Sequence, residues 1–492
     1  HVLEELPIRN VVSWSALIDG YAQEGRGHEA LECFERMKRE GHSPNDVTFI
    51  SILKACSNIK DVERGKQIHN EIVDKYILEK KIALGNALVD MYVKCGALSK
   101  AKQVLEELSV RDIVSWSALI AGYAQEGKGH EALDCFEQMQ REGLSADDVT
   151  FICILKACGI RGAIQKGKQI HDEILRRGWL EQDIMLGNVL VDMYAKCHVI
   201  AKAQKVLLEL PMRNIVSWNA LIAGYTDEGQ GDEALKCFDR IQCESLSPDP
   251  VTFICILKAC GKIGAVDKGT WIHSEIMKSK SSFKTDTPLG NALVDMYAKC
   301  GMLAQAQKVL EEIPIRDVIS WSTLIGGYAQ QGQGLQALTC LERMESEGLS
   351  PNLVTFTCVL SACCNSGLLD KAEMLFENMI RKYGVAPNLE HHTCMLVAYA
   401  YAGNFDKAMS IIKVIPSVDY LVAWLALLRA CKKWGNVRLG RLAFDQAMQR
   451  DVCCAAAYVL IANIFAAAGM LDDAERVEVM RLKYAASKEE RK

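Results

Sequence analysis

The sequence predicts an all-α solenoid of short helical hairpins, and three observations carry that prediction. First, Trp14, Trp116, Trp218 and Trp321 stand 102, 102 and 103 residues apart, each within a Ser-Trp dipeptide. Second, Cys56, Cys158, Cys260 and Cys363 repeat at 102, 102 and 103, and Asn86, Asn188 and Asn291 at 102 and 103. Third, each repeat of about 102 residues divides into blocks of 35, 36 and 31 residues, as in Ile113–Asn214. Self-similarity at that period marks a stacked array rather than one globular core.

Each block reads as two helices. In Ile113–Asp147, Trp116, Leu119, Ile120 and Tyr123 fall on one helical face. Gly127 breaks that helix. The next carries Ala132, Leu133, Phe136 and Met139, and Gly143 suits a C-terminal cap. So short a hairpin cannot bury both apolar stripes alone and must stack on its neighbours, so function is to be sought on the row of first helices.

The blocks tile the chain. Residues 1–10 read as the end of a 31-residue block, with VLEELPIRN matching Val206–Asn214, so the chain is expected to begin inside a longer protein. Triplets follow at 11–112, 113–214 and 215–317, the last with one extra residue in SKSSFK. A fourth spans 318–420 and drifts after Leu389, and two further hairpins occupy 421–454 and 455–492. The period argues for one extended superhelix of about thirteen units, against about fourteen whole blocks in this tiling.

Composition narrows the function. Net charge is −5 with 24% charged residues, which disfavours an indiscriminate polyanion binder but permits a locally basic groove. The 20 cysteines sit at repeat positions with no CxxC spacing, so they read as small core residues in a reducing compartment. No apolar run is long enough for a membrane span, the best candidate, Ala455–Ala468, being interrupted by Asn463. The tryptophans share a face with core leucines and are read as core rather than as base-stacking platforms. HxE occurs at His69–Glu71, His171–Glu173 and His273–Glu275, half of a zinc-deaminase signature. No PCxxC accompanies it, so neither a metal, a cofactor nor catalysis is expected of this chain.

The wording of the blocks resembles plant pentatricopeptide-repeat proteins of the PLS class. SWNALIAGY…EAL…F…M resembles the P-type module, VTF…LKAC…GKQIH the L-type, and LGNALVDMYAKCG…A…V the S-type. AWLALLRAC and YVLIANIFAAAG resemble the two E motifs. The resemblance covers essentially the whole chain. It implies a right-handed superhelix of helix-turn-helix repeats. It also implies sequence-specific binding of single-stranded RNA, one base per module, in a mitochondrion or chloroplast. The role implied is that of recognition tract in a C-to-U editing factor, with a cytidine deaminase domain acting in cis or in trans through the E motifs and any targeting peptide lying upstream. The alternative class is a tetratricopeptide-like scaffold for protein–protein interaction.

In that family recognition falls on the fifth and last residues of P- and S-type modules. Here these are Ser15/Asn45, Asn86/Asp112, Ser117/Asp147, Asn188/Asn214, Asn219/Asp249, Asn291/Asp317 and Ser322/Asn352. Helix capping also favours such residues. Asp only accepts hydrogen bonds and so suits the ring N–H of G or U, whereas the Asn amide also donates and suits the bare ring nitrogen of A or C. By the family's rule, Ser at the fifth position selects a purine and Asn a pyrimidine. Val12, Val114, Val216 and Ile319, at second positions, are expected to pack on base faces. L-type modules carry Ile50, Ile152 and Ile254 at the fifth position and are expected to space rather than read, Thr357/Asn388 excepted. The implied target, 5′ to 3′, is A-N-U-G-N-Y-U-N-U-A-N-N.

Overall fold

The computed structural model describes residues 10–75, 81–181, 183–278, 286–414, 420–450 and 454–489. The first nine residues, SKSSFK and the last three residues of the charged tail lie outside them. Among the described residues there are 28 α-helices and no strand. They fall into two units, divided at Pro248/Asp249.

The first unit holds α1 (Val11–Gln23), α2 (Gly27–Arg39), α3 (Asp46–Ile59), α4 (Val62–Lys75), α5 (Ile82–Lys94), α6 (Leu98–Glu107) and α7 (Ile113–Gln125). It continues with α8 (Gly129–Arg141), α9 (Asp148–Arg161), α10 (Ile164–Arg177), α11 (Ile184–Lys196), α12 (Ile200–Glu209), α13 (Ile215–Asp227) and α14 (Gly231–Cys243). The second unit holds α15 (Pro250–Ile263), α16 (Val266–Lys278), α17 (Thr287–Lys299), α18 (Leu303–Glu312), α19 (Val318–Gln330), α20 (Gly334–Ser346) and α21 (Leu353–Asn365). After these come α22 (Leu369–Arg381), α23 (Leu389–Tyr401), α24 (Phe405–Val414), α25 (Tyr420–Trp434), α26 (Val437–Arg450), α27 (Ala455–Ala467) and α28 (Leu471–Glu489).

Within each unit every odd-numbered helix packs on the next odd-numbered one, and each even-numbered helix packs on its partner. The unequal block lengths have a structural source. First helices run 13 or 14 residues, as in α1, α3 and α5, except α25, which has 15. Second helices run 13 residues in α8, 14 in α10 and 10 in α12, so the short block is short because its outer helix loses a turn.

The repeated tryptophans are core, as their shared face with the leucines implied: Trp14, Trp116, Trp218 and Trp321 are each 1% exposed. Behind them Phe34 meets Phe49, and Phe136 meets Phe151, edge to face at 6.2 and 6.4 Å, joining a second helix to the next first helix. Cysteines share this core. Cys56, Cys158 and Cys260 are fully buried free thiols, each pushed up to about 12 by burial and so inert. The last two hairpins share one cluster with the hairpin before them, with Leu427, Leu428, Cys431, Tyr458, Ile461 and Ile464 joined by Leu396, Ala400 and Ile412. No described helix is long and apolar enough to cross a membrane.

Two glycines show how tightly the hairpins are wound. Gly127, at φ +72°, makes the left-handed turn between α7 and α8. Gly129 starts α8 against α9 so closely that a Cβ would lie 2.8 Å from the carbonyl oxygen of Ala157. Gly129→Ala should therefore destabilise the protein by about 1–3 kcal/mol through overpacking against backbone. Gly127→Ala meets no neighbour and should cost about 1–2 kcal/mol from its backbone conformation alone. Thermal melts followed by circular dichroism decide it: unchanged melting of Gly129→Ala would mean that α8 and α9 do not approach this closely.

Candidate functional site

Burial of both flanks leaves each first helix one exposed strip. On α3 between Val47 and Asn58, only Val47, Lys54 and Asn58 are exposed, with Ile50 half-buried between them. These positions stand at i, i+3, i+7 and i+11, a single line along the helix. The fifth-position residues stand in the same register on the other first helices, but Ser15, Ser117, Asn188, Asn219 and Ser322 are buried at the floor of the strip.

Every last-position residue begins a helix. Asn45, Asp112, Asp147, Asn214, Asp249, Asp317 and Asn352 each accept, through Oδ1, the backbone N–H three residues on, at 2.7–3.0 Å. The capping role is therefore present in all seven. It occupies one side-chain atom and leaves the second. In Asn45, Asn214 and Asn352 the Nδ2 group makes no hydrogen bond to any described residue.

The fifth and last residues meet in two ways. Where the fifth is Asn, its amide reaches the carboxylate: Asn86 Nδ2 donates to Asp112 Oδ1 at 3.1 Å and Oδ2 at 3.0 Å, and Asn291 Nδ2 to Asp317 Oδ1 at 3.3 Å. Burial raises the Asp112 and Asp317 carboxyls, but the hydrogen bonds from backbone and side chains outweigh it and hold both below the usual carboxylate range. Where the fifth is Ser, a threonine intervenes. Ser15, Ser117 and Ser322 share hydrogen bonds of 2.6, 2.6 and 2.7 Å with Thr48, Thr150 and Thr355. Those threonines donate to Asn45, Asp147 and Asn352. Thr357 makes a similar link to His391, which is bonded to Asn388.

Asn188 is the exception. It is 4% exposed, and neither its Oδ1 nor its Nδ2 has a partner among the described residues. Its counterpart Asn214 presents an amide where Asp112 presents a carboxylate oxygen, so the attraction that fixes Asn86 is missing. Asn219, buried on α13, and Asp249, the cap of α15, belong to different units.

The second-position residues Val12, Val114, Val216 and Ile319 are apolar yet 53–71% exposed. Sequence reasoning stopped at these four. Val47, Val149, Val251 and Val354, at the second position of the L-type blocks, are exposed to the same degree, and their recurrence at 102 and 103 residues was the available signal. In the second unit a cavity of about 280 Å³ opens between α19 and α21, lined by Ile319 and Val354 with Ser322, Thr323, Cys358 and Asn352. An aliphatic side chain from each of two consecutive first helices thus flanks the polar pair.

A third set also escaped the sequence reading. Trp116, Trp218 and Trp321 donate Nε1–H to Glu142, Glu244 and Glu347 at 2.9, 3.0 and 2.9 Å. The same carboxylates pair with Arg111, Arg213 and Arg316 at 3.0, 3.1 and 2.7 Å. Each arginine immediately precedes a capping residue: Asp112, Asn214 or Asp317. The ion pair thus ties the loop bearing that cap to the core tryptophan.

The HxE histidines are structural. His69, His171 and His273 share Nδ1 hydrogen bonds with Tyr92, Tyr194 and Tyr297 at 3.0, 3.0 and 2.9 Å. Glu71, Glu173 and Glu275 form ion pairs with Lys38, Arg177 and Lys278. Among the described residues no group of three or more metal-ligating side chains converges.

Fold and site together define a helical-repeat protein whose first helices present polar pairs framed by aliphatic side chains. Comparison with known proteins gives the family. The PPR repeat family model matches residues 9–58, 111–159, 213–262, 316–365 and 351–400, and the PPR repeat model 86–113, 291–318 and 390–417. The chain is 37% identical over 483 residues to pentatricopeptide repeat-containing protein At4g38010 of Arabidopsis thaliana, covering 97% of this chain and 85% of that protein. It is 34% identical over 471 residues to the putative pentatricopeptide repeat-containing protein At3g15130 of the same plant, covering 95% and 68%. It is also 32% identical over 485 residues to the chloroplastic Arabidopsis protein At1g11290, covering 98% of this chain and 59% of that one. The chain belongs to the pentatricopeptide repeat family. Its fold is that of maize PPR10, with a TM-score of 0.62 at 20% identity over 97% of this chain and 74% of that one. Against PPR10 in complex with an 18-nt psaJ RNA element the TM-score is 0.66 at 16% identity, over 96% and 74%.

Two outcomes follow from this geometry. Glu142→Ala removes the acceptor of a buried indole N–H and should destabilise the protein by about 1–3 kcal/mol in denaturant titration. Glu142→Gln keeps an acceptor and should lose less; equal losses would refute the indole bond. The histidines set a pH limit. Burial lowers His69, His171 and His273 below their ordinary 6.5, so as pH falls through 6.5 the unfolded chain takes up protons that the folded chain refuses. Their contribution is complete above pH 6.5 and is lost below it. The melting temperature should drop between about pH 7.5 and about pH 5.5, and should drop less in a chain carrying His171→Gln.

Proposed function

We propose that this protein binds single-stranded RNA in sequence-specific register along its first helices, as the recognition tract of an organellar C-to-U editing factor. The observation that carries the reading is the cavity between α19 and α21. Ile319 and Val354 are placed to hold a flat ring from both faces, and Ser322 and Asn352 to meet its edge. The other six P- and S-type pairs repeat the same residue types, with Ser or Asn at the fifth position and Asp or Asn at the last. The unpaired amide of Asn188 adds a buried polar group that a base edge could satisfy. A peptide-binding scaffold has no need for such a pattern.

Family membership and the PPR10 complex with an RNA element support RNA as the ligand. The block order, 35, 36 and 31 residues, supports the PLS class, and the hairpins at 421–454 and 455–492 support two E motifs that engage a cytidine deaminase domain in cis or in trans. Relatives named chloroplastic or mitochondrial support an organellar location. The target follows the base order given by the pairs, A-N-U-G-N-Y-U-N-U-A-N-N.

One module tests the code. Asn86→Ser, with Asp112 kept, should move the preference at the third base from U to G. The shortened side chain makes room for a purine and lies within reach of Ser115, as Ser117 does of Thr150. Asp112 still accepts from the ring N–H. The change in preference should amount to about 1–3 kcal/mol, read as the affinity ratio for two RNAs differing at that base. A mutant that keeps the wild-type margin for U would make Asn86 a structural residue only.

A further inference from the structure

The exposed strips carry a charge pattern that base reading does not use. In the L-type helices α3, α9 and α15 the ninth residue is Lys54, Lys156 or Lys258. Each is exposed while the residues immediately before and after it are buried. Each lies seven residues beyond an exposed valine, Val47, Val149 or Val251, and so on the same line along the helix. None makes a hydrogen bond through its ammonium group or an ion pair with a described residue. The S-type strips differ. There Lys94, Lys196 and Lys299 are neutralised by Asp90, Asp192 and Asp295 one turn earlier, at 2.8, 2.7 and 2.7 Å. The ninth residue of the P-type helices is Asp19, Ala121, Ala223 or Gly326. Once in each of the first three triplets, the strip therefore shows one uncompensated positive charge, on the module that lacks a polar fifth residue. The fourth L-type helix, α21, has Ser361 there instead.

Resting on the RNA reading above, we infer that Lys54, Lys156 and Lys258 each neutralise a backbone phosphate of the bound strand. The L-type modules then hold the strand between the bases that their neighbours read. A compact ammonium on a flexible stem suits this role, because it attracts phosphate without demanding a fixed geometry or a particular base. Unpaired in the free chain, these lysines break no internal ion pair when RNA arrives. Their neighbours at the fifth position, Ile50, Ile152 and Ile254, add no competing hydrogen bond.

The test is the salt dependence of binding. The full chain and its Lys54→Gln, Lys156→Gln and Lys258→Gln variants, single and combined, are titrated with two single-stranded RNAs. One has the base order given above; the other has its read bases shuffled. For single strands log K falls by about 0.7 per phosphate neutralised per decade of salt, so each substitution should flatten the slope by about 0.7 and the triple variant by about 2. Between about 50 and about 200 mM salt the wild type should lose about 2.6-fold more affinity than each single variant. The ratio of affinities for the two RNAs should not change, and Lys156→Arg should keep the wild-type slope. Wild-type slopes in the triple variant would overturn the inference and leave the base-reading proposal standing. A change in the ratio between the RNAs would also overturn it, by making the lysines base-reading groups. Equal wild-type affinity for the two RNAs, with slopes flattened as expected, would sink base reading and keep the phosphate contacts. No binding of either RNA by the wild type would sink both.

Discussion

A hairpin of two helices, 13 residues each, cannot bury its apolar surface without neighbours on both sides. That constraint sets the rest of this structure. Within each unit the first helices pack on one another and are backed by second helices, so their tryptophans, leucines and repeated cysteines vanish from solvent. What remains is one line of residues per helix, about one position in four. Any chemistry of the first helices must be carried by that line, which explains how a chain dominated by core repeats can still vary where it meets a ligand.

The same packing forces the chain to start a new first helix every 31 to 37 residues, and each start leaves unsatisfied N–H groups. Asp or Asn at the last position answers that need with one oxygen. Because the cap stands beside the fifth residue of the preceding first helix, its second atom is delivered to the groove without any additional element. In the proposed RNA reading, structure and recognition share one side chain and do not compete for it. The capping requirement limits the residue to a short polar type. Within that limit, Asp against Asn changes what the second atom can accept or donate at almost no cost to the helix. The Arg111–Glu142–Trp116 connection and its two repeats hold the caps at the S-to-P junctions by anchoring the preceding residue to the core.

Much of this was legible in the sequence because the repeat reports it directly. The spacing of Trp14 to Trp321 announced the solenoid, the i, i+3, i+4 pattern around Trp116 placed that tryptophan in the core, and the polar last residues read equally well as caps. What stayed hidden lies between modules. Ser15 meets Thr48 across 33 residues, and Trp116 meets Glu142 across 26. Periodicity says that such residues recur together but not that their atoms touch. The exposed valines of the L-type helices were missed for a related reason: Val47 beside Phe49 looks like core in sequence, and only the strip geometry separates the two. The HxE triplet shows the opposite failure of pattern. Its spacing matches a metal motif, yet its histidines are spent on tyrosines of the next helix.

The two kinds of polar pair also differ in what they hold ready before a ligand arrives. In an Asn/Asp pair the fifth residue already donates to both carboxylate oxygens of Asp112, so a base edge entering there must share or replace an existing charge-assisted bond. In a Ser/Asn pair the serine hydroxyl is engaged through threonine, and the Asn352 amide has no partner to give up. A base bound by the second kind gains its hydrogen bonds outright, whereas one bound by the first gains only the difference. Asn188/Asn214 goes further, with a buried amide that pays its desolvation cost in the free protein and recovers it only when something polar enters. Affinity per module should therefore be uneven along the groove. It should be least where Asn faces Asp, although those modules still discriminate, since the wrong edge would leave the carboxylate with an acceptor opposite an acceptor.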